Sequence, residues 1–220
     1  MIFASPSEQQ QILYRSAFVR NCMTIIVRSH VALNRSSLKT TEEPHITGEI
    51  VKSARQIVES EYAEPWMEHL EILDDPPQDL RGRRGKSRPR IDIEFVQTMH
   101  GRRPRFHVES KRLYRSDSVS EYLGPSGLQM FVDGTYASEW PSAGMIGYVQ
   151  SDDCSTWLGR LADGFISRRT QLAVCADQPG WEATGWTGDG LDSVQNSCHE
   201  RAAMNIGRIQ VFHLLLDFAA

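Results

Sequence analysis

The chain has 220 residues, of which 40% are hydrophobic and 24% are charged, and this composition is close to that of an average globular protein. The length predicts one domain, and the composition excludes disordered, collagen-like and coiled-coil proteins. The longest apolar run, residues 172–176, is much shorter than the roughly 18 residues that span a bilayer, which excludes an integral membrane protein. The N-terminal residues contain no secretory signal pattern, so a cytoplasmic location is expected.

Two helices are predicted first in chain order. Residues 5–8 have the pattern of a capping box, which predicts a helix that continues to about Leu33. Apolar residues at helical spacing predict a second helix over residues 44–60, and Glu49 lies near its start. We interpret residues 1–40 as an N-terminal helical arm and residues 41–220 as the main domain.

Strands and helices alternate in the rest of the chain. This alternation predicts an α/β fold with a central mixed β-sheet flanked by helices. A loop over residues 74–90 and an irregular stretch over residues 178–197 interrupt it. The predicted strands are residues 66–73, 91–96, 105–111, 144–149 and 209–218, and the predicted helices are residues 122–137 and 152–168.

Charge is segregated along the chain, although the total is only −4. The segment 81–115, which we call the basic segment, holds twelve of the 24 basic residues and only three of the 28 acidic residues. A phosphate backbone responds to such a local patch, because distant charges are screened at physiological salt. The predicted contacts to a nucleic-acid backbone are Arg81, Arg83, Arg84, Lys86, Arg88, Arg90, Arg102, Arg103, Arg105 and Arg112.

The two strands inside the basic segment place acidic residues and a lysine together. Side chains alternate between the faces of a strand, so Glu94 follows Asp92 on one face, and His107, Glu109 and Lys111 share one face of the second strand. Ile91, Ile93 and Phe95 share the opposite face of the first strand, Phe106 and Val108 share that of the second, and both apolar faces are expected to pack into the core. Carboxylates that converge in this way are typical Mg²⁺ ligands, and Lys111 can position a water or offset negative charge.

Asp92 followed by Glu109-Ser110-Lys111 resembles the D…(D/E)xK signature of the PD-(D/E)XK, or restriction-endonuclease-like, nuclease superfamily. The resemblance covers roughly residues 46–149, and Ile91 stands where the family has a proline before the aspartate. It implies a restriction-endonuclease-like core within residues 41–220, in which a helix is followed by three strands, with the acid on the second and the ExK on the third, and then by a helix and another strand. It also implies a Mg²⁺- or Mn²⁺-dependent nuclease with DNA as the expected substrate, and defence against foreign DNA is a frequent role of compact bacterial members.

The same resemblance implies roles for individual residues. Asp92, Glu109 and Lys111 would be catalytic, and Asp92, Glu109 and Ser110 would bind the metal. Glu49 stands where many members place a further ligand in the preceding helix, and Gln129 resembles a glutamine found after the ExK motif in some exonucleases. Glu94 is a further candidate.

Other functions remain open from the sequence. The basic segment can also serve a non-catalytic module that binds nucleic acid, with Glu109 and Lys111 as a surface ion pair. A ribonuclease on the same scaffold is the third reading. All three functions are compatible with a protein partner that directs the activity or with a homo-oligomer. Binding to a membrane is not expected. The glycines at residues 81–87 lack Walker A spacing, which excludes a P-loop there.

Overall fold

A computed structural model describes residues 8–78, 85–98, 103–178, 180–201 and 207–219. These residues form one seven-stranded mixed sheet with helices on both faces, so the predicted α/β class is confirmed. The helices are α1 (Glu8–Ala32), α2 (Glu43–Val58), α3 (Ser118–Leu123), α4 (Leu128–Val132) and α5 (Cys154–Ser167). The strands are β1 (Leu70–Asp74), β2 (Ile93–Gln97), β3 (Arg105–Leu113), β4 (Ser142–Val149), β5 (Glu182–Ala183), β6 (Gln195–Glu200) and β7 (Arg208–Asp217).

The strand order in the sheet is β1-β2-β3-β4-β7-β6-β5. The first three strands pair antiparallel as consecutive neighbours. The β3, β4 and β7 strands then pair in parallel, and the connection from β3 to β4 carries α3 and α4 across one face of the sheet. Parallel strands covered on both faces are apolar along their length, which explains the long buried run in β7.

The first face of the sheet is covered by α1 and α2. Their buried residues, such as Ile26 and Ile50, pack with Ile93, Phe95 and Phe106 in one core cluster. The predicted N-terminal arm is therefore part of this layer from Phe18 onward. The predicted capping box at residues 5–7 lies outside the described residues.

The second face is covered by α3, α4 and α5. Trp157, Leu161 and Phe165 of α5 pack here, together with Met145 and Val149 of β4. Ile91 belongs to this second cluster and not to the face of Ile93, because a bend at Asp92 precedes the first regular pair of β2. The prediction that Ile91 and Ile93 share a face was therefore wrong.

The single helix predicted over residues 122–137 is also wrong, because the structure divides it into α3 and α4. Gly127 lies between them, and a Cβ atom there would stand 2.3 Å from the backbone oxygen of Tyr122. The first helix already ends at Gly124, whose backbone is extended (φ −91°, ψ −163°), because the following Pro125 disfavours helical geometry in the residue before it. Of the helices in the described ranges, none combines the length and apolar character needed to cross a bilayer.

Candidate active site

The predicted polar face of the β2–β3 hairpin is present, but it is buried. Glu109 is 6% exposed and Lys111 is 9% exposed, so they do not form the surface ion pair that the binding-module alternative expects. Regular pairing of β2 with β3 ends at the pair Ile93 and Val108. The edge of β3 beyond this pair is therefore open to other groups, and the candidate site forms there.

Asp92 occupies this open edge. Its Oδ2 atom accepts hydrogen bonds from the backbone N–H of Ser110 at 2.7 Å and from the Ser110 hydroxyl at 2.6 Å. Tyr136 fixes the segment that leads to Asp92, since its hydroxyl donates to the backbone oxygen of Arg90 at 2.6 Å. The Asp92 carboxylate is thus held beside the ExK residues of β3.

A chain of buried hydroxyl groups continues from Ser110 into the core. Ser110 donates to Asp92, so its oxygen is free to accept from Thr47, 3.1 Å away. Thr47 in turn lies 2.9 Å from the hydroxyl of Tyr148. Thr47 and Tyr148 had no part in the sequence prediction, because only the packing of α2 on β3 and β4 brings them to this position.

Lys111 joins three oxygen atoms at the site. Its Nζ donates to Glu109 Oε1 at 2.7 Å, to the Ser110 backbone oxygen at 2.7 Å and to Glu43 Oε1 at 3.0 Å. The other oxygen of Glu43 accepts from the backbone N–H of Arg112 at 3.1 Å. Glu43 therefore lies at the site, and it was missed because its position depends on where α2 begins.

Burial and mutual repulsion control the charges of this cluster. Burial and the neighbouring Asp92 raise the pKa of Glu109 to about 8. Burial also raises the pKa of Glu43, although Lys111 opposes the shift. Burial disfavours the charged form of Lys111, but the three surrounding carboxylates outweigh this effect and raise its pKa, so the ammonium group stays protonated.

Among the described residues, one carboxylate oxygen of the cluster is buried without a hydrogen-bond partner. This atom is Glu109 Oε2. A buried unsatisfied oxygen costs roughly 1–3 kcal/mol, more for a charged group, unless a further ligand is bound. A hard divalent cation prefers carboxylate and carbonyl oxygens, and Asp92, Glu109 and the Ser110 backbone oxygen offer such a set. The residues present therefore fit a Mg²⁺ or Mn²⁺ ion.

Two residues implied by the family resemblance have side-chain contacts with residues outside this cluster. Glu49 is six residues beyond Glu43, which is roughly 9 Å along the axis of α2 and about 120° around it. Its carboxylate is 3.8 Å from Lys52 Nζ on the half-exposed side of the helix. Gln129 lies in α4, where its side-chain oxygen accepts a hydrogen bond from Gln171 at 3.3 Å.

Glu94 is buried in a separate pair of contacts on the same face of the hairpin. Its Oε1 accepts a hydrogen bond from Arg105 and lies 3.4 Å from Nε2 of His107. Burial opposes ionisation of Glu94, but the hydrogen bonds from His107 and Arg105 outweigh it and lower the carboxyl pKa. Glu94 is therefore an ionised neighbour of the Asp92 cluster, and its contacts join it to β3.

The basic segment is less positive in space than its composition suggests. Arg90 pairs with Asp75 at 2.6 Å, and Arg112 pairs with Glu42 at 2.6 Å. These acids lie outside the segment, so counting charges along the sequence could not include them. Lys86 and Arg103 are exposed, and Arg88 is half-buried. Four of the predicted contacts, Arg81, Arg83, Arg84 and Arg102, lie outside the described residues.

A second group of potential metal ligands lies far from this site in the sequence. Cys175, Asp177 and Glu200 bring one ligand atom each within 4.8 Å of one another. Arg208 already contacts both carboxylates, at 2.9 Å from Asp177 and 2.8 Å from Glu200. The guanidinium therefore supplies the positive charge that these two acids require.

A scan against protein-family models and searches of the curated proteins and of the solved structures found no match for this chain. We therefore infer function from the geometry of the site.

Proposed function

We propose that this protein is a metal-dependent nuclease that hydrolyses phosphodiester bonds, with DNA as its preferred substrate. The observation that carries the proposal is that Asp92, Glu109 and Lys111 interact in one buried cluster, in which Glu109 Oε2 has no hydrogen-bond partner among the described residues. A surface ion pair in a binding module would not need such a group, because an exposed pair leaves its oxygens to water.

The arrangement of strands supports a restriction-endonuclease-like core. Three antiparallel strands are followed by a helical crossover and a parallel strand, with α2 packed before them in the chain. Asp92 comes directly before β2, and Glu109 and Lys111 lie on β3. This order of helix, three strands, helices and strand agrees with the order that the sequence resemblance implies.

Asp92, Glu109 and the Ser110 backbone oxygen would hold the metal. A bound Mg²⁺ or Mn²⁺ supplies Lewis-acid chemistry, by which it polarises a phosphodiester oxygen and lowers the pKa of a coordinated water. Ser110 keeps Asp92 oriented through two hydrogen bonds, and Glu43 holds Lys111 from the opposite side. The residues around the ligands thus fix their positions before substrate binds.

Lys111 acts as a cation in this proposal. Its ammonium group is surrounded by carboxylates, so it retains its proton and stabilises the negative charge that develops on the phosphate. In the overall reaction, a water oxygen forms a bond to phosphorus as the bond from phosphorus to the leaving sugar oxygen breaks. One proton from water reaches the leaving alkoxide, and the products are a phosphomonoester and an alcohol.

The exposed basic residues support a polyanionic substrate. Lys86 precedes β2, Arg103 lies in the connection between β2 and β3, and both are exposed. Contacts of this kind bind a phosphate backbone without reading its sequence, and they weaken as salt rises.

The proposal is tested by cleavage of plasmid, linear duplex and single-stranded DNA and of RNA in Mg²⁺, Mn²⁺ or EDTA. The wild-type protein is compared with Asp92→Asn and Lys111→Met. Glu71→Gln is the matched control, since Glu71 is an exposed acid on β1. Circular dichroism and thermal unfolding confirm that each variant is folded.

We expect cleavage only with a divalent cation, loss of roughly 100-fold or more of the rate in both site variants, and no change in the control. Preferential cleavage of RNA would contradict the assignment of DNA and favour the ribonuclease. Salt-sensitive binding without cleavage in either metal would contradict the nuclease and favour the binding module.

A further inference from the structure

A cavity of about 330 Å³ opens beside the candidate active site. Two of its lining residues, Glu94 and His107, are directly paired across β2 and β3. His107 precedes Glu109 by two residues on the same face of β3, which places the cavity roughly 7 Å along the strand from the acidic cluster. The lining includes Gln78, Glu94, Arg105, His107, Glu139 and Trp140.

The floor of the cavity has unused hydrogen-bonding capacity. His107 is 3% exposed, and its Nδ1 atom is buried with no hydrogen-bond partner in the part of the chain that the structure describes. Such a group is costly unless a ligand or a water completes its bonds. Gln78 adds an amide to the same lining, and Glu94 adds a carboxylate. These donors and acceptors suit the polar edge of a planar heterocycle.

The wall of the cavity is held in place from the other end of the sheet. Arg201 is 2% exposed, and its guanidinium donates to the backbone oxygens of Ala137 and Trp140, each at 2.9 Å. These bonds fix both ends of residues 137–140, which form the wall. Trp140 therefore has a fixed backbone position beside the cavity before any ligand binds.

We propose that this cavity binds one unpaired nucleobase next to the scissile phosphodiester, with Trp140 against its face and His107 at its polar edge. This inference rests on the proposed nuclease function and narrows its substrate class. The volume lies at the small end of the range for ligand sites, which suits a single base. The half-exposed Arg105 side chain is then available to an adjoining phosphate.

The substrate must present that base outside a duplex. Inside a duplex, both faces of a base are covered by stacking and its edge is paired, so it cannot enter a cavity of this kind. Single strands, frayed ends and flipped nucleotides meet the requirement. We therefore assign single-stranded DNA, or DNA with unpaired nucleotides, as the substrate class.

The test is the binding of short single-stranded deoxyoligonucleotides that carry a fluorescent purine analogue at one position, in EDTA so that no cleavage occurs. Stacking on an aromatic side chain quenches such an analogue. The full chain is compared with Trp140→Ala and with His107→Gln, which keeps a polar side chain if the first variant folds poorly. Trp66→Ala is the matched control, because Trp66 is a half-buried tryptophan that packs against the cluster on the other face of the sheet.

We expect position-dependent quenching and an affinity that falls about 5- to 150-fold in Trp140→Ala, the range measured for base stacking on aromatic residues. His107→Gln weakens binding at the same position, the control does not, and a fully paired duplex fails to compete. Equal quenching at all positions, or a duplex that competes as well as the single strand, would overturn the cavity assignment. Quenching as expected without cleavage in Mg²⁺ would overturn the nuclease and leave the base site intact.

Discussion

Asp92 and Ser110 are joined by two hydrogen bonds, from the backbone N–H at 2.7 Å and from the hydroxyl at 2.6 Å. The carboxylate takes the place of a backbone partner at the point where β2 no longer pairs with β3. This contact places the carboxylate of Asp92, which precedes β2, beside the active-site candidates Glu109 and Lys111 of β3. The Ser110 hydroxyl is thus as important to the geometry as the acidic residues.

We expect Ser110→Ala to weaken this positioning without unfolding the protein. Asp92 keeps the backbone hydrogen bond, whereas the hydroxyl chain to Thr47 and Tyr148 is interrupted. The free energy of unfolding should fall by about 1 kcal/mol, and cleavage should fall on the order of tenfold. Urea unfolding and a cleavage assay measure the two effects. An unchanged cleavage rate would show that the hydroxyl has no role in orienting Asp92.

The acids of α2 provide a paired comparison. Glu43→Gln removes a charge that holds Lys111, so cleavage should fall on the order of tenfold. Glu49→Gln alters only a half-exposed pair with Lys52, so cleavage should stay within about twofold of the wild type. Initial rates at saturating Mg²⁺ give the comparison. A larger loss of cleavage in Glu49→Gln than in Glu43→Gln would contradict the packing of α2 against β3.

A buried chain of polar groups lies at the β6 and β7 strands of the sheet. His199 Nδ1 is 2.7 Å from the backbone oxygen of Leu172, and His199 Nε2 is 2.8 Å from the hydroxyl of Ser197. The same hydroxyl is 2.8 Å from Nε2 of His213, whose Nδ1 is 3.1 Å from the Tyr122 hydroxyl. With both imidazoles neutral, the Ser197 hydroxyl donates to His199 Nε2 and accepts from His213 Nε2–H, while His199 Nδ1–H donates to Leu172 and the Tyr122 hydroxyl donates to His213 Nδ1.

This chain predicts that stability decreases in mild acid. Burial lowers the pKa of His199 to about 4 and lowers that of His213 well below its usual value. The unfolded chain therefore binds protons below about pH 6.5 that the folded protein excludes. The free energy of unfolding should fall by about 1.4 kcal/mol per pH unit for each histidine as the pH drops from about 6.5 toward 4.

Urea unfolding at pH 7, 6 and 5 measures this slope, and the cost is absent above about pH 7. In His199→Gln, the free energy of unfolding should change by about 1.4 kcal/mol per pH unit less than in the wild type, because one proton fewer is taken up on unfolding. A slope that is the same in His199→Gln as in the wild type would contradict the neutral buried pair.

Two glycines should respond to alanine in opposite directions. In Gly127→Ala, the new Cβ would stand 2.3 Å from one backbone oxygen and 2.7 Å from another, so we expect a loss of about 2 kcal/mol or more. In Gly159→Ala, nothing lies within 4 Å and the site is inside α5, so we expect a gain of about 0.5–1 kcal/mol. Thermal unfolding of both variants tests the break between α3 and α4. Equal changes in thermal stability in the two variants would contradict the break between α3 and α4.

Local patterns predicted much of the hairpin. The alternation in β3 correctly placed Glu109 and Lys111 on one face and Phe106 and Val108 on the other, because a strand has a fixed period of two. The alternation could not predict the bend at Asp92. There the Asp92 carboxylate, in place of a backbone oxygen of β2, accepts the hydrogen bond from the Ser110 backbone N–H.

The sequence could not predict which side chains of different helices and strands come into contact. Glu43 and Glu49 are both acids in one helix, and only the packing of α2 against β3 decides which one meets Lys111. The pairing of Arg112 with Glu42 likewise joins two segments that are remote in the chain. No local sequence pattern identifies residues whose contacts arise from such packing between elements.

The most direct test of the central claim is the rate at which Asp92→Asn cleaves single-stranded DNA in Mn²⁺, relative to the wild type at equal folded concentration. Our account predicts metal-dependent cleavage by the wild type and a rate lower by roughly 100-fold or more in the variant, because one of the two carboxylate ligands is lost. A variant that cleaves within about twofold of the wild-type rate would contradict the assignment of Asp92 and Glu109 as the catalytic metal site.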